Sequence, residues 1–211
     1  GQDKVAVLER LASSATGLIA AGPHSSLFTG AFRFDTLPVA VNLEVLRRGQ
    51  EQRAVPRVVH MPTNRAIKGT DAVLAAVERL QARGVRFEFE LIEGVPHEQA
   101  IERLRDADVL VDQLGSDFHA TAAIEAMAMG RVVVGGMLPE AAGQYGDPSP
   151  VVAADRRTLE EVLADLLPDA DRRRDLAEQG VAYAGRHHGH VQVARRCLEI
   201  YAAPTPAVPA G

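Results

Sequence analysis

The sequence predicts an α/β fold, a Rossmann-like doubly wound parallel sheet with helices on both faces. Two observations carry this prediction. Short apolar, β-branched runs begin at residue 57 and are typical of strands. They alternate with helical patterns of about a dozen residues, as in consecutive βαβ units. The 211 residues are enough for one such domain and some flanking material.

The first predicted unit spans residues 57–84. RVVHM (57–61) is a short β-branched run and predicts a strand. The next helix is predicted over 69–84, where Gly84 suits its C-terminal end. Apolar residues recur in this helix at helical spacing: Val73, Leu74, Val77 and Leu80.

The same alternation continues to residue 155, and three closing helices follow up to residue 201. Further strands are predicted at 86–92, 108–112, 131–136 and 149–155. Helices are predicted at 97–107, at 121–129 before Gly130, and at 158–167, 170–185 and 190–201. The helical segments between successive strands predict crossover connections and therefore parallel pairing.

The residues before 57 have no comparable pattern. Residues 5–21 predict a helix running into a short strand, and the stretch up to 56 is irregular, then polar and charged. We therefore expect 1–56 to be the end of a preceding domain and a linker, with the natural chain beginning earlier. The predicted binding domain is 57–201, and 202–211 is predicted to be a disordered tail.

Composition excludes several classes of protein. Apolar residues make up 46% and charged residues 24% of the chain, the mix of a soluble globular protein. The net charge is −5 without a basic cluster, so nucleic acid is not an expected partner. No run of about 18 apolar residues exists, so no transmembrane segment is predicted. The single cysteine, Cys197, fits a reducing compartment, and we expect a cytoplasmic protein.

The loop after the first predicted strand carries two cations. MPTNRAIKGTD (61–71) places Arg65 and Lys68 at the carboxyl end of that strand, where ligands bind in doubly wound sheets. Lys68 is an unusual choice, because only Lys4 and Lys68 among 23 basic residues are lysines. The two cations could neutralise a diphosphate without a metal, or the segment could be a solvated loop.

The second candidate segment is the helix predicted at 121–129. From Ala120 to Met129 the only charged residue is Glu125. A helix so apolar is buried, and a buried carboxylate needs partners. Those partners could be the vicinal hydroxyls of a ribose, or a structural hydrogen bond or ion pair. Near Ala120 and Thr121 the helix N-terminus points free N–H groups above the sheet, which forms an anion site.

A third segment, EGVPHEQ (93–99), follows the strand predicted at 86–92. It also lies at a carboxyl end of the sheet, where Val95 could flank a base. Together the three segments could hold a nucleotide, while a solvated loop and a structural ion pair stay open for the first two.

Two patterns that suggest metal sites are discounted. Asp106 and Asp108 form a D-x-D pattern, but it straddles the end of a helix and the start of a strand, at the wrong end of the sheet. The histidines His187, His188 and His190 have no nearby cysteine or carboxylate to complete a zinc set. We therefore expect no metal and no cofactor.

Three stretches resemble the C-terminal domain of the retaining family-4 glycosyltransferases of the GT-B fold. They are RVVHMPTNRAIKGTDAVLAAVERL (57–80), DVLVDQLGSDFHATAAIEAMAMGRVVVGG (108–136) and GRHHGHVQVARRCLEIY (185–201). The EAMAMG stretch before an apolar strand is the most specific part. The resemblance implies that the whole protein moves a sugar, with retention, from a nucleoside-diphosphate sugar donor to an unidentified acceptor. An N-terminal acceptor domain outside this chain would be its partner.

The resemblance also implies roles for individual residues. Arg65 and Lys68 would hold the diphosphate and stabilise its charge as it leaves. Glu125 matches the second acid of the family's E-x7-E motif and would bind the ribose. Asp117 lies eight positions earlier, where the first acid belongs, and would face the donor sugar.

The chain departs from the family pattern just before this helix. Asp117 stands where the family usually has Glu, and Phe118, His119 and Ala120 stand where it usually has a glycine-bearing turn. Loss of the glycines changes how closely backbone N–H groups approach the phosphates. We count His119, Ala120 and Thr121 with the predicted nucleotide-sugar site.

Two alternatives stay open. A GT-B-like sugar-nucleotide epimerase would share the fold and the diphosphate site but would need acid–base residues for ring chemistry. A non-catalytic domain would have lost donor binding through the altered loop at 115–121. We expect the isolated chain to transfer no sugar, since no βα repeat precedes residue 57 that could form an acceptor domain.

Overall fold

The chain forms two compact units in the computed structural model. One is Val41–Arg186, and the other combines Gly1–Ala40 with His187–Gly211. The predicted boundary at residue 57 differs from this division, because it falls inside the larger unit. The residues that the structure describes are 2–21, 34–115, 119–138, 142–143 and 145–203.

The secondary structure follows the predicted alternation from residue 57 onward. The strands are β1 (Ile19–Ala21), β2 (Asp35–Leu37), β3 (Arg57–His60), β4 (Glu88–Leu91), β5 (Val109–Val111), β6 (Val132–Gly135) and β7 (Val152–Ala153). The helices are α1 (Gln2–Ala12), α2 (Arg65–Lys68), α3 (Thr70–Ala82), α4 (His97–Arg105), α5 (Thr121–Ala128), α6 (Leu159–Leu166), α7 (Ala170–His187) and α8 (His190–Ala202).

Two short elements differ from the sequence-based expectation. β2 lies in a stretch predicted to be irregular, and it pairs in parallel with β1. Its sequence, DTL, has too few residues to show an alternation of apolar and polar side chains. α2 occupies part of the segment predicted to be a loop after β3. Its four residues are likewise too few to show a helical period.

The larger unit is built on a five-stranded parallel sheet in the order β4-β3-β5-β6-β7. The chain runs outward from β3 to β4 and then returns to β5 on the other side of β3. The strand order therefore reverses between β3 and β5. In doubly wound sheets, ligands bind beyond the carboxyl ends of the strands at such a switch point.

Successive residues of the central strands point to opposite faces of this sheet, and helices cover both. Val58, Val109 and Val132 pack with α3 and α6 on one face. Val59, Leu110 and Val133 pack with α4 and α5 on the other. Because both faces are buried, the central strands β5 (VLV) and β6 (VVVG) contain no polar side chain. The predicted doubly wound α/β fold is confirmed.

Hydrogen bonds hold the polar stretch before β3 against the amino-terminal edge of the sheet. The buried carboxylate of Asp108 accepts hydrogen bonds from the backbone N–H groups of Arg53 (2.9 Å) and Arg57 (2.7 Å). The buried guanidinium of Arg131 donates to the carbonyl of Gln50 at 2.6 Å. These bonds explain why the larger unit begins before residue 57, and they give Asp108 a structural role.

The smaller unit holds α1, the two-stranded parallel sheet of β1 and β2, and α8, which contacts β2. Within this unit, a hydrogen bond joins His188 Nδ1 to the carbonyl oxygen of Val39 at 2.8 Å. In the part of the chain that the structure describes, no helix combines the length and apolarity needed to cross a membrane.

Candidate functional site

A cleft of about 800 Å³ opens at the carboxyl ends of β3, β4 and β5, at the switch point of the sheet. This volume lies within the range of small-molecule sites, about 300–1,000 Å³. The cleft brings together residues that are far apart in the sequence. Five residues of the predicted site line it: Lys68, Val95, Ala120, Thr121 and Glu125.

Lys68 is positioned by the short helix α2. Asn64 caps this helix by accepting the backbone N–H of Ile67 at 3.1 Å. Gly69 ends it in the left-handed conformation, with φ of +73°, and lies close to Leu114. A side chain at Gly69 would be strained and would meet Leu114. The tight turn therefore fixes the lysine that precedes it.

The Lys68 ammonium is buried and paired with a carboxylate. Nζ donates to Oδ1 of Asp112, the residue just after β5. The second oxygen of Asp112 accepts the backbone N–H of Ala120 at 3.1 Å. Asp112 therefore ties the loop after β3 to the start of α5. Sequence reasoning missed this residue, although a polar side chain that ends an apolar strand is a usable signal.

Arg65 also has a carboxylate partner. Its Nε donates to Oε1 of Glu93 at 2.9 Å, and its guanidinium holds the pKa of Glu93 below the usual value. Glu93 lines the cleft, whereas the Arg65 side chain lies at the rim and is 55% exposed. Sequence reasoning identified the segment that carries Glu93 but not its contact with Arg65.

Glu125 lies in the second turn of α5 and faces the cleft. Its side chain is 12% exposed, in line with the apolar pattern of the helix. Burial raises the pKa of Glu125, and the nearby charge of His97 acts in the opposite direction. His97 Nε2 lies 3.3 Å from Glu125 Oε1. His97 begins α4, and nothing in the sequence connects it to a residue 28 positions away.

The start of α5 forms another part of the wall. Ala120 precedes the helix in an extended conformation, and its methyl group cannot cap it. Thr121 and Ala122 line the cleft. At the first turn of a helix, backbone N–H groups have no partner within the helix and favour an anion.

Among the described residues of the predicted site, His119 and Arg65 are not part of the cleft lining. His119 is buried and makes an edge-to-face contact with Tyr183, with ring centroids 6.3 Å apart and planes at 80°. Asp117 lies outside the described residues, so its predicted contact with the donor sugar remains a prediction.

A buried histidine supports the floor of the site. His60, at the end of β3, makes hydrogen bonds to the Val111 carbonyl (2.8 Å, from Nδ1) and the Thr70 hydroxyl (3.0 Å, from Nε2). Burial lowers the pKa of His60, which favours a neutral ring that donates from Nδ1 and accepts at Nε2. The ring thereby joins β3, β5 and the start of α3.

Among the residues that the structure describes, the site contains three acid–base pairs: Arg65–Glu93, Lys68–Asp112 and His97–Glu125. Each pair joins two different elements. An anionic ligand that contacts Arg65 or Lys68 must therefore compete with a carboxylate. A ligand that carries hydroxyl groups could bond to Glu125 without such competition.

Solved structures of GT-B glycosyltransferases have the same fold. Sucrose-phosphate synthase from Thermosynechococcus elongatus matches with a TM-score of 0.72 and 16% identity, over 96% of this chain and 61% of its own. Anabaena HepE, solved with UDP-glucose, matches with a TM-score of 0.65 and 12% identity, over 90% of this chain and 64% of its own.

A third match consists of one domain. It is the C-terminal domain of LpcC from Francisella tularensis, a glycosyl transferase group 1 family protein, with a TM-score of 0.52 and 15% identity. The match covers 72% of this chain and 100% of that domain. The chain spans less than two thirds of the synthase and of HepE.

Sequence comparisons add no further match: no protein-family model and no curated protein matches this chain. The structural matches lie far below the identity at which a family could be assigned. They establish that the chain has the Rossmann-like fold of a GT-B glycosyltransferase C-terminal domain.

Proposed function

We propose that this chain is the donor-binding domain of a glycosyltransferase that moves a sugar from a nucleoside-diphosphate sugar to an acceptor, with retention of the anomeric configuration. One observation carries the proposal. A single cleft at the switch point combines two cations near one wall with a half-buried carboxylate on another. A nucleotide sugar has the matching groups, a diphosphate next to a ribose.

The diphosphate would lie against α2 and the start of α5. Lys68 and Arg65 would exchange their carboxylate partners for phosphate oxygens, and the N–H groups of Thr121 and Ala122 would add neutral donors. As the sugar leaves, negative charge builds on the diphosphate, and the same groups stabilise it. Because these two cations would neutralise the diphosphate, donor binding would be independent of divalent metal ions.

The nucleoside would occupy the other half of the cleft. Glu125 would accept hydrogen bonds from the ribose hydroxyls, since an ionised carboxylate is an acceptor only. The base would lie against Ile92 and Val95, apolar residues after β4 that line the cleft. Asp117 would face the donor sugar, with His119 holding the turn beside it.

The comparisons support a nucleotide sugar as the ligand class. HepE was solved with UDP-glucose, and TarM from S. aureus was solved with UDP. The acceptor would bind mainly to a further domain, because the chain spans only part of these proteins. Both the further domain and its binding of the acceptor are therefore part of this proposal.

Isothermal titration calorimetry with the diphosphates of uridine, guanosine, adenosine and thymidine, and with the free nucleosides, tests donor binding. We expect one diphosphate to bind more tightly than its nucleoside, with affinity unchanged by a chelator. A tenfold loss with chelator, about 1.4 kcal/mol, would reveal a metal site. Binding of none would favour a non-catalytic domain. Products of the full-length protein would separate sugar transfer from epimerisation.

A further inference from the structure

His97 and Glu125 meet across the cleft from two different helices. His97 is the first residue of α4, and Glu125 lies in the second turn of α5. Nε2 of the imidazole is 3.3 Å from Oε1 of the carboxylate. Both side chains line the cleft, so the pair belongs to the surface that a ligand would touch.

The two partners differ sharply in burial. The Glu125 side chain is 12% exposed and the His97 side chain 71% exposed. An ion pair with one partner in solvent contributes little to stability. A contact at one oxygen of a carboxylate nevertheless favours one orientation of the group, so the pair can direct the other oxygen.

The contact uses one of the two oxygens of Glu125. Within the described part of the chain, His97 is the side chain that contacts this carboxylate, and it does so at Oε1. An ionised carboxylate has about four lone-pair sites. Oε2 therefore keeps its capacity to accept hydrogen bonds from hydroxyl groups in the cleft.

We propose that His97 is a positioning residue for the ribose of the nucleotide, acting through Glu125. Its Nε2–H group holds Oε1, so that Oε2 stays directed at the ribose hydroxyls. The inference rests on the proposed function, because it takes a nucleotide as the ligand of the cleft. His97 itself has no role in the transfer chemistry. It determines how strongly the cleft distinguishes a ribose from a sugar without hydroxyls.

The test compares three variants, His97→Ala, His97→Gln and Glu98→Ala. Alanine removes the contact, whereas glutamine keeps an N–H donor of similar reach. Glu98 is the exposed neighbour in the first turn of α4 and lies outside the cleft wall, so it is the matched control. Calorimetry first finds which of the diphosphates of uridine, guanosine, adenosine and thymidine binds the wild-type chain. It then measures the affinities of that diphosphate and of its 2′,3′-dideoxy analogue, and thermal melting confirms that each variant is folded.

We expect His97→Ala to weaken binding of the ribonucleotide by about three- to tenfold, the range of one hydrogen bond. The affinity for the dideoxy analogue should stay unchanged. His97→Gln should restore most of the preference, and Glu98→Ala should match the wild type.

Three results would overturn the inference. Equal losses for ribose and dideoxy ligands in His97→Ala would make His97 a scaffold residue. An unchanged preference in His97→Ala would show that Glu125 needs no positioning, while the proposed function stands. A wild-type chain that binds none of the diphosphates of uridine, guanosine, adenosine and thymidine would remove the proposed function, and the inference with it.

Discussion

Lys68 and Asp112 form a buried ion pair between the loop after β3 and the end of β5. Their side chains are 8% and 3% exposed. The second oxygen of Asp112 accepts the N–H of Ala120 at 3.1 Å. The cation proposed to bind phosphate is thereby linked to the helix N-terminus proposed to bind the same phosphate.

From this pair we expect that the contribution of Lys68 to folding stability can be measured separately from its contribution to ligand binding. In Lys68→Met the buried Asp112 loses its counter-charge, so the free energy of unfolding should fall by about 3–5 kcal/mol. Adding Asp112→Asn should recover part of that loss, because no unpaired charge remains. Chemical denaturation measures both variants. Calorimetry should find diphosphate affinity reduced about 10- to 150-fold in each, the range of a charged hydrogen bond. Wild-type affinity in the double variant would remove Lys68 from the phosphate site.

In the proposed complex Glu93 would compete with phosphate for Arg65, so Glu93→Gln should bind diphosphates more tightly. The amide keeps the shape of the side chain but removes its charge. We expect a gain of up to about fivefold, the size of an exposed ion pair. Glu90→Gln is the control, since Glu90 pairs with Arg57 and Arg103 and lies outside the cleft wall. Weaker binding in Glu93→Gln would mean that Glu93 itself contacts the ligand.

We predict that Glu125 contributes more to ligand binding than to folding stability. Burial raises its pKa, so the native state binds this proton more tightly than the unfolded state. Ionisation of Glu125 therefore lowers the free energy of unfolding as the pH rises from the ordinary carboxyl pKa through the raised pKa. Glu125→Gln should remove this pH dependence and change the free energy of unfolding by less than about 1 kcal/mol.

The same substitution should weaken binding of a ribonucleoside diphosphate by more than about fivefold. The 2′,3′-dideoxy analogue should be nearly insensitive to it. Denaturation curves across pH and calorimetry with both ligands check these expectations. A loss of several kcal/mol in stability, with the ribose preference intact, would show that the His97–Glu125 pair is structural.

Asp108 is predicted to be structural although it belongs to a D-x-D pattern. Asp108→Ala would leave the N–H groups of Arg53 and Arg57 without their acceptor, so unfolding should become easier by about 3 kcal/mol. Asp106→Ala is the matched control, because its side chain is 54% exposed, and should change stability by less than about 0.5 kcal/mol. Unchanged stability in Asp108→Ala, together with a loss of metal-dependent activity, would indicate a metal site.

The fold was predictable because its signals are local. The βαβ alternation, the apolar α5 with its single charged residue and the positions of Lys68 and Glu125 can be identified in stretches of ten to twenty residues. The partners of those charged residues cannot be identified in this way. Asp112, Glu93 and His97 approach their partners only after β3, β4 and β5 align, and the sequence separations are 44, 28 and 28 residues.

The extent of the larger unit was not predictable for a similar reason. Residues 44–56 have the composition of a linker, and no apolar period marks them as part of a domain. They join the larger unit because Asp108 accepts a hydrogen bond from a backbone N–H group of this segment and Arg131 donates one to a backbone carbonyl group. Backbone contacts of this kind leave no pattern in the side chains of the segment itself.

The most direct test of nucleotide binding in this cleft is a methyl NMR titration of the wild-type chain with the diphosphates of uridine, guanosine, adenosine and thymidine. Ile67, Ile92 and Val95 line the cleft, whereas Leu163 and Leu166 lie in the hydrophobic core on α6. We predict that at least one of the four nucleotides shifts the methyl signals of the first three residues in a saturable manner and leaves those of the two leucines in place. Saturable shifts confined to residues outside the cleft, or no shifts with any of the four nucleotides at millimolar concentration, would contradict a donor site here.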